Sequence, residues 1–384
     1  MTFAVAARRL TVALGAALML LAAGCERVDV TGTTGEPVPM LFSTYSPRPT
    51  KADDSYAGPG ETVLPVNSSF GVFAYYQEGD VEHGTVAHWE GDSWHTDGDW
   101  TPDFMFDQEV QYKGGTTYDY TPLRYWPTNI ENTISFWAYY PYSAYQSDNS
   151  RALKLYKNND LTGDYDASST GLPASLSYTV QTDATAQQDL MFDTFENKDK
   201  TYLNCPPTPG VVPLTFRHAL SLVRFNFGEL PDGVSITVTD MTLDNLYMSG
   251  SLTDLTPATP GAYAWTTTGA RGSATCSATD LSSYTAAFIL MPQSLEDATP
   301  ANEPELSITF NMTIAAADGG DPIQYSGNTG TAKLKYFAPD PANNILAFAP
   351  GKSYLYTISL SLDTIEFSEA VESPAWNTTV NVNL

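Results

Sequence analysis

Cysteine is nearly absent, with three in 384 residues. Cys25 belongs to the N-terminal segment treated below, which leaves Cys205 and Cys276 with no C-x-x-C pair and no Cys/His set at zinc spacing. A zinc-built or disulfide-framed domain is excluded; Cys205 and Cys276 could pair in an oxidising compartment but read more readily as two separate thiols. Histidine is as scarce, with four. His83, His88 and His95 lie in a Gly/Asp/Trp-rich stretch without metal spacing and read as exposed loop residues. His218 has no partnered nucleophile near it in sequence and reads as a buried imidazole bonded to backbone. Basic residues number 18 against 44 acidic ones, for a formal net charge of −26. So acidic a body repels phosphate backbones and anionic lipid, which speaks against nucleic acid and membrane surfaces as partners. Helical periodicity is almost missing, Arg217-His218-Ala219-Leu220 being the one short candidate and equally a turn into the strand that follows. No G-x-S-x-G, P-loop or dinucleotide fingerprint occurs. Asp97-Gly98-Asp99 and Asp318 with Asp321 fall short of the ligand number of a calcium loop. No catalytic residues, metal or cofactor are expected, and the chain reads as non-enzymatic.

What is present starts at the N-terminus. Arg8 and Arg9 form a basic region, and the apolar run from Leu10 to Ala23 is too short to cross a bilayer comfortably. The run closes on Leu20-Leu21-Ala22-Ala23-Gly24-Cys25, which reads as a bacterial lipobox. Residues 1–24 would be removed as a signal peptide, and Cys25 would carry the acyl group, palmitate included, as the new N-terminus. The more usual lipobox has Leu three residues before the cysteine, where Ala22 stands here. An ordinary signal peptide followed by an incidental cysteine is the competing reading. Loss of Arg8 and Arg9 takes the net charge from −26 to about −28. No later stretch is long and apolar enough for a transmembrane helix, so the expected membrane link is the lipid on Cys25.

Alternation of apolar and polar residues runs through the rest. Leu306, Ile308, Phe310, Met312 and Ile314 share one parity and Ser307, Thr309, Asn311 and Thr313 the other; Tyr354, Tyr356, Ile358, Leu360 and Leu362 repeat the pattern. Shorter runs lie at Gly71–Tyr76, Thr133–Tyr139, Leu222–Phe227, Val234–Met241 and Thr285–Met291. Each reads as a strand with one buried and one wet face, as in antiparallel sheets. Pro231-Asp232-Gly233, Pro257 to Gly261, Asp318-Gly319-Gly320-Asp321 and Pro350-Gly351-Lys352 supply turns. The fold class is therefore all-β, most simply two antiparallel β-sandwich domains in tandem. Cys205-Pro206-Pro207-Thr208-Pro209-Gly210 is a stiff connector, dividing an N-terminal domain at 40–208 from a C-terminal domain at 209–384. Residues 25–39 read as a tether between the lipid and the first domain.

Both ends of the mature chain look like strands. At the C-terminus Trp376, Thr378, Val380, Val382 and Leu384 alternate with Asn377, Thr379, Asn381 and Asn383. Residues 376–384 either complete their own sheet or fill a groove in a neighbouring copy, where ladder bonds give affinity and alternate side chains give register. Near the N-terminus Val38, Met40 and Phe42 alternate with Pro39, Leu41 and Ser43 between two Gly/Pro-containing segments, which makes this first strand removable. Its loss would leave an apolar groove and unpaired sheet edges. Trp89, Trp94 and Trp100 cluster among Asp and Gly, a setting that suits stacking on host sugars and equally suits covering the end of a sandwich.

These features combine with several blocks. They are Phe42-Ser43-Thr44-Tyr45 followed by Arg48-Pro49-Thr50-Lys51; Phe70 to Tyr76; Phe104 to Val110; Tyr120-Thr121-Pro122-Leu123-Arg124-Tyr125-Trp126-Pro127; Ile134 to Pro141; Asp189-Leu190-Met191-Phe192; and Leu214-Thr215-Phe216-Arg217-His218-Ala219-Leu220. In this order and spacing the chain resembles the fimbrillin-like lipoproteins of Bacteroidetes, subunits and accessory proteins of type V pili. The resemblance implies two transthyretin-like sandwich domains, export to the outer membrane as a lipoprotein, and removal of the lipidated first strand by a trypsin-like protease. Subunits would then polymerise into a fimbrium by donor-strand exchange, serving adhesion or biofilm formation, with other pilin subunits as partners and host glycans or proteins as adhesion targets. Arg48 and Lys51 are the cleavage candidates. Pro49 disfavours cutting after Arg48, which leaves Lys51-Ala52 as the substitute. The alternative is an uncleaved surface lipoprotein, either a pilus anchor or an adhesin. Mass spectrometry of the surface form separates the two: the subunit reading expects an N-terminus just beyond Arg48 or Lys51, and a retained acylated Cys25 overturns it.

Overall fold

The computed structural model describes residues 37–45, 64–77, 89–90, 93–94, 101–128, 132–193, 210–228, 232–255, 257, 259, 261–277, 287–316, 319–360 and 365–373. Among these the chain is all-β. Helix among the described residues is limited to three-residue 3-10 turns at Tyr142–Ala144, Ala184–Ala186, Pro300–Asn302 and Pro341–Asn343. The short helical candidate at 217–220 is instead the end of one strand and the step into the next.

A seven-stranded sheet runs in the order β1 (Leu41–Tyr45), β11 (Val211–His218), β10 (Met191–Asp193), β7 (Thr133–Tyr140), β2 (Ser69–Gln77), β5 (Met105–Gly114) and β6 (Thr117–Asp119). A six-stranded sheet is built on the long strand β13 (Val234–Leu252). One edge of β13 pairs with β17 (Glu305–Ile314) and then with β9 (Ser175–Thr179); the other pairs with β14 (Thr266–Ser277). β18 (Ile323–Lys333) and β8 (Leu153–Tyr156) lie outside β17 and β9. A four-stranded sheet has the order β15 (Ala287–Leu290), β12 (Ser221–Phe227), β20 (Ser353–Leu360) and β21 (Ile365–Ser373). Two ribbons complete the set: β3 (Trp89–Glu90) with β4 (Ser93–Trp94), and β16 (Gln293–Ser294) with β19 (Ala347–Phe348).

Alternation sorts β17 and β20 as expected: Leu306, Ile308 and Phe310, with Tyr354, Tyr356 and Ile358, are buried on one face. The Pro350-Gly351 turn also forms, with Gly351 at φ +69 and its N–H donating to Leu220 O. Three findings differ from the sequence reading. First, two pairs are parallel, β1 with β11 and β12 with β20. Parallel partners need long connections, and alternation within a strand carries no information about its neighbour's direction. Second, β2 and β7 have no wet face. Phe70, Val72, Ala74, Ile134, Phe136 and Ala138 enter one core, while Phe73, Tyr75, Trp137 and Tyr139 on the opposite parity enter a second. A strand covered on both sides reads as a near-continuous apolar run, which is what Phe-Gly-Val-Phe-Ala-Tyr-Tyr is. Third, sheet membership crosses the expected boundary at 208/209. β11 follows it yet belongs to the first sheet, and β9 precedes it yet pairs onto β13, carrying β8 on its outer edge. The second core is continuous from Trp137 and Tyr165 to Phe225 and Tyr356.

The centre of the first sheet depends on a close approach at Gly71. A Cβ there would fall 2.1 Å from the ring of Tyr139, its partner across the β2–β7 ladder. The Tyr139 hydroxyl donates to Asp107 Oδ1 at 2.5 Å, from a β5 residue whose own backbone sits at φ +49. Burial pushes the Asp107 carboxyl up from an ordinary 3.8 to about 7, against the opposing pull of the Tyr139 bond and of Arg151. The folded protein thus holds a proton between about pH 4 and 7 that the unfolded chain releases. Stability from this group is greatest below about pH 4 and is lost as pH rises toward 7, a loss on the order of 4 kcal/mol. Asp107→Asn should flatten this part of the profile, measured as the difference in urea unfolding between variant and parent from pH 4.5 to 8.

Candidate functional site

The seat of the first strand lies between β11 and the segment after β6. β1 is an edge strand, and its residues divide by parity. Leu41 N donates to Gly210 O at 3.2 Å, so the odd residues turn their backbone groups to β11, in the register Leu41↔Val211 to Tyr45↔Thr215. The side chains of Met40, Phe42 and Thr44 point inward and are 0%, 2% and 3% exposed, and Val38 packs on the same core. Leu41, of the other parity, is 46% exposed. The ring of Phe42 meets those of Tyr120, Phe136 and Phe70 edge-on, at 5.5, 6.1 and 6.3 Å.

The outer backbone edge of the strand is closed in two ways. At its start, Met40 N donates to Arg124 O at 2.9 Å and Val38 O accepts from Trp126 N at 3.0 Å, a short antiparallel contact centred on Pro39 and Tyr125. Further along, tyrosine hydroxyls replace a neighbouring strand. Tyr120 Oη donates to Met40 O at 2.8 Å, and Tyr118 Oη accepts from Thr44 N at 3.1 Å and lies 2.9 Å from Thr44 Oγ1. Burial pushes the Tyr120 hydroxyl up to about 12, so it stays a neutral donor. Trp126 Nε1 donates to Gly210 O at 2.9 Å, tying this segment to the start of β11. Because Tyr118 lies in β6, its bond to Thr44 brings the two ends of the seven-stranded sheet together. An edge strand's unpaired N–H and C=O groups need partners when buried, and here side chains supply several of them.

Of the sequence candidates, Val38, Met40 and Phe42 come together in this seat. Cys25, Arg48, Lys51, Trp376, Thr378, Val380, Val382 and Leu384 lie outside the described residues, as do Cys205, His83, His88, His95, Asp97, Asp99, Trp100 and Asp318. Trp89 and Trp94 are partners across the β3–β4 ribbon. Cys276 is buried in β14 opposite Met241. His218 is buried, as the sequence suggests, and the structure adds a side-chain partner. Its Nδ1 lies 3.0 and 2.9 Å from the two carboxylate oxygens of Asp189, an ion-pair geometry that joins two of the sequence blocks. Among the described residues no group of three or more His, Cys, Asp or Glu is placed to hold a metal, and no helix is long and apolar enough to cross a membrane. Sequence reading missed Tyr118, Tyr120, Trp126 and Gly210 as parts of the seat. The shared parity of Tyr118 and Tyr120, just before Arg124-Tyr125-Trp126, was the available signal.

The sequence profile of the fimbrillin-like family matches residues 61–373. The chain belongs to the fimbrillin-like family. Membership makes it a fimbrial-type structural protein of the cell surface. Among solved structures, this fimbrillin-like chain is similar to a fimbrial protein from Bacteroides vulgatus, at 19% identity and a TM-score of 0.48, covering 86% of this chain and 98% of that one. It is also similar to a Bacteroides uniformis protein to which cell adhesion is ascribed (16% identity, TM-score 0.46, 90% and 99% covered). A third is the tip fimbrial protein Mfa3 of Porphyromonas gingivalis with C-terminal truncation (10% identity, TM-score 0.33, 81% and 95% covered). No curated protein matches by sequence. The family match begins after β1 and stops at the end of β21.

The asymmetry of the seat is directly testable in this fimbrillin-like protein. Phe42→Ala should cost about 3–5 kcal/mol, as for a buried ring removed from a core, and Leu41→Ala no more than about 0.5 kcal/mol. Urea unfolding of the two variants checks the contrast.

Proposed function

We propose that the protein is a structural subunit of a cell-surface fimbria of the type V pilus kind, assembled by proteolysis-triggered donor-strand exchange and serving adhesion or biofilm formation. The observation that carries this reading is the seat of β1, in which an edge strand buries Met40, Phe42 and Thr44 in an aromatic core. Taking β1 away would strip β11 of its ladder partner and uncover the rings of Phe70, Tyr120 and Phe136. An apolar groove beside an unpaired strand edge favours any segment that supplies both a ladder and alternate apolar side chains. The segment Trp376 to Leu384 has that alternation.

In this mechanism acyl-Cys25 carries the precursor to the outer membrane. Arg48 and Lys51 fall between β1 and β2, so a cut there releases the first strand together with its lipid and leaves the rest of the fold intact. The tail of a second copy, or of a related pilin, then occupies the seat. Burying four to five alternate side chains at roughly 1.5–3 kcal/mol each, with ladder bonds along the strand, makes the joint close to irreversible. Host glycans or proteins are the adhesion targets this reading implies. Arg48-Pro49 is the observation that favours a second reading, an uncleaved surface lipoprotein serving as anchor or adhesin, because the Arg-Pro bond resists trypsin-like cleavage.

Deleting residues 376–384 should leave a folded protein that stays monomeric after the first strand is cut. The check is an unboiled gel beside a circular dichroism melt. A polymer ladder from the truncated protein rules out the tail as donor.

A further inference from the structure

We infer that the donated tail enters the seat antiparallel to β11, opposite in direction to β1, with Thr378 in the place of Thr44. This deepens the strand-donation reading and rests on it.

The seat distinguishes its occupants at four inward positions, held here by Val38, Met40, Phe42 and Thr44. Three are apolar. The fourth is a buried hydroxyl 2.9 Å from Tyr118 Oη, whose ring packs against Phe70 and Tyr112. An aliphatic side chain at that position would take a hydrogen-bond partner from Tyr118 in a place that water reaches poorly, which is unfavourable. In the tail, the parity Asn377, Thr379, Asn381, Asn383 would bury three amides, so the inward set is Thr378, Val380, Val382 and Leu384. Read from Leu384 backward, that set runs aliphatic, aliphatic, aliphatic, hydroxyl. The seat, read from the Trp126 end to the Tyr118 end, has the same order.

The parallel direction meets this demand badly. With Val380 at the Met40 position and Val382 at the Phe42 position, Leu384 falls on the Tyr118 hydroxyl. Sliding the tail so that Thr378 reaches Tyr118 puts Pro374 at the Met40 position, and no residue is left to cross from β21, which ends at Ser373. The antiparallel direction leaves residues 374–377 as the crossing, about 13 Å when extended. The backbone suits it as well. Gly210 O turns toward β1, so Val212 and Leu214 present their N–H and C=O groups to the seat. Val380 and Thr378 would then form doubly bonded pairs with them, and Thr379 would face Pro213, whose missing N–H lies on the other side. The one poor fit is Val380 at the larger Phe42 position.

The test is cross-linking between copies in a Cys205→Ser, Cys276→Ala background after limited proteolysis removes the first strand. One copy carries Pro213→Cys and the other Thr379→Cys, a non-hydrogen-bonded pair with Cα atoms about 4.5 Å apart, within disulfide reach. A disulfide between the two is expected. A disulfide to Asn383→Cys in its place, the partner of position 213 in the parallel direction, overturns the proposal. So does a polymer that links through neither. A cysteine-free parent that polymerises even without residues 376–384 sinks strand donation itself, a distinct outcome. A second measurement avoids cysteines: Thr378→Val should slow assembly about tenfold in the parent and leave a Tyr118→Phe acceptor unaffected. Equal slowing in both overturns the pairing of the two hydroxyls.

Discussion

Burial of Met40, Phe42 and Thr44 from an edge strand is the constraint on which the rest of the first sheet depends. A strand at an edge has a ladder on one side only, and its outer N–H and C=O groups must find partners before its inward side chains can be buried. Here β11 supplies the ladder, Arg124 and Trp126 supply backbone on the far side, and Tyr118 and Tyr120 supply hydroxyls beyond them. Side-chain partners of this kind hold a strand in register without committing the sheet to another continuous neighbour. That combination, a deep apolar seat beside a lightly bonded edge, is what a replaceable strand requires.

The seat is rigid because the sheet behind it is packed on both faces. β2 and β7 give one row of side chains to the core around Phe42 and the other row to the core shared with β12 and β20. Gly71 allows Tyr139 to cross β2, and Asp107 fixes its hydroxyl. The Asp189–His218 pair fastens the end of β11 just before the chain passes into β12. The strand that lines the seat is therefore joined to the C-terminal sheets within two residues. Under the strand-donation proposal, this continuity suits a body that transmits load along a filament while a single strand is exchanged.

Much of the fold is legible in the sequence because alternation is a local property. Leu306, Ile308 and Phe310 declare their inward face without reference to any other strand. The same holds for Val38, Met40 and Phe42, whose burial follows from parity alone. The pattern misleads at β2 and β7, where aromatic residues occupy both parities and only the presence of a second layer explains why neither face is wet. It is silent about the parallel pairing of β1 with β11, since strand direction is set by how the intervening chain returns.

The sequence by itself determined the all-β character, the glycine-bearing turns and which residues of the first strand point inward, because each depends on neighbours a few residues apart. The tertiary structure alone decided that β1 lies at an edge, that β11 belongs with it and not with the strands that follow, and that Tyr118 and Tyr120 close its outer side. The closing contacts span 74 and 80 residues. A hydroxyl that meets a backbone group across such a distance leaves no periodic trace in the chain; it is fixed only when the sheet curls and its two ends meet.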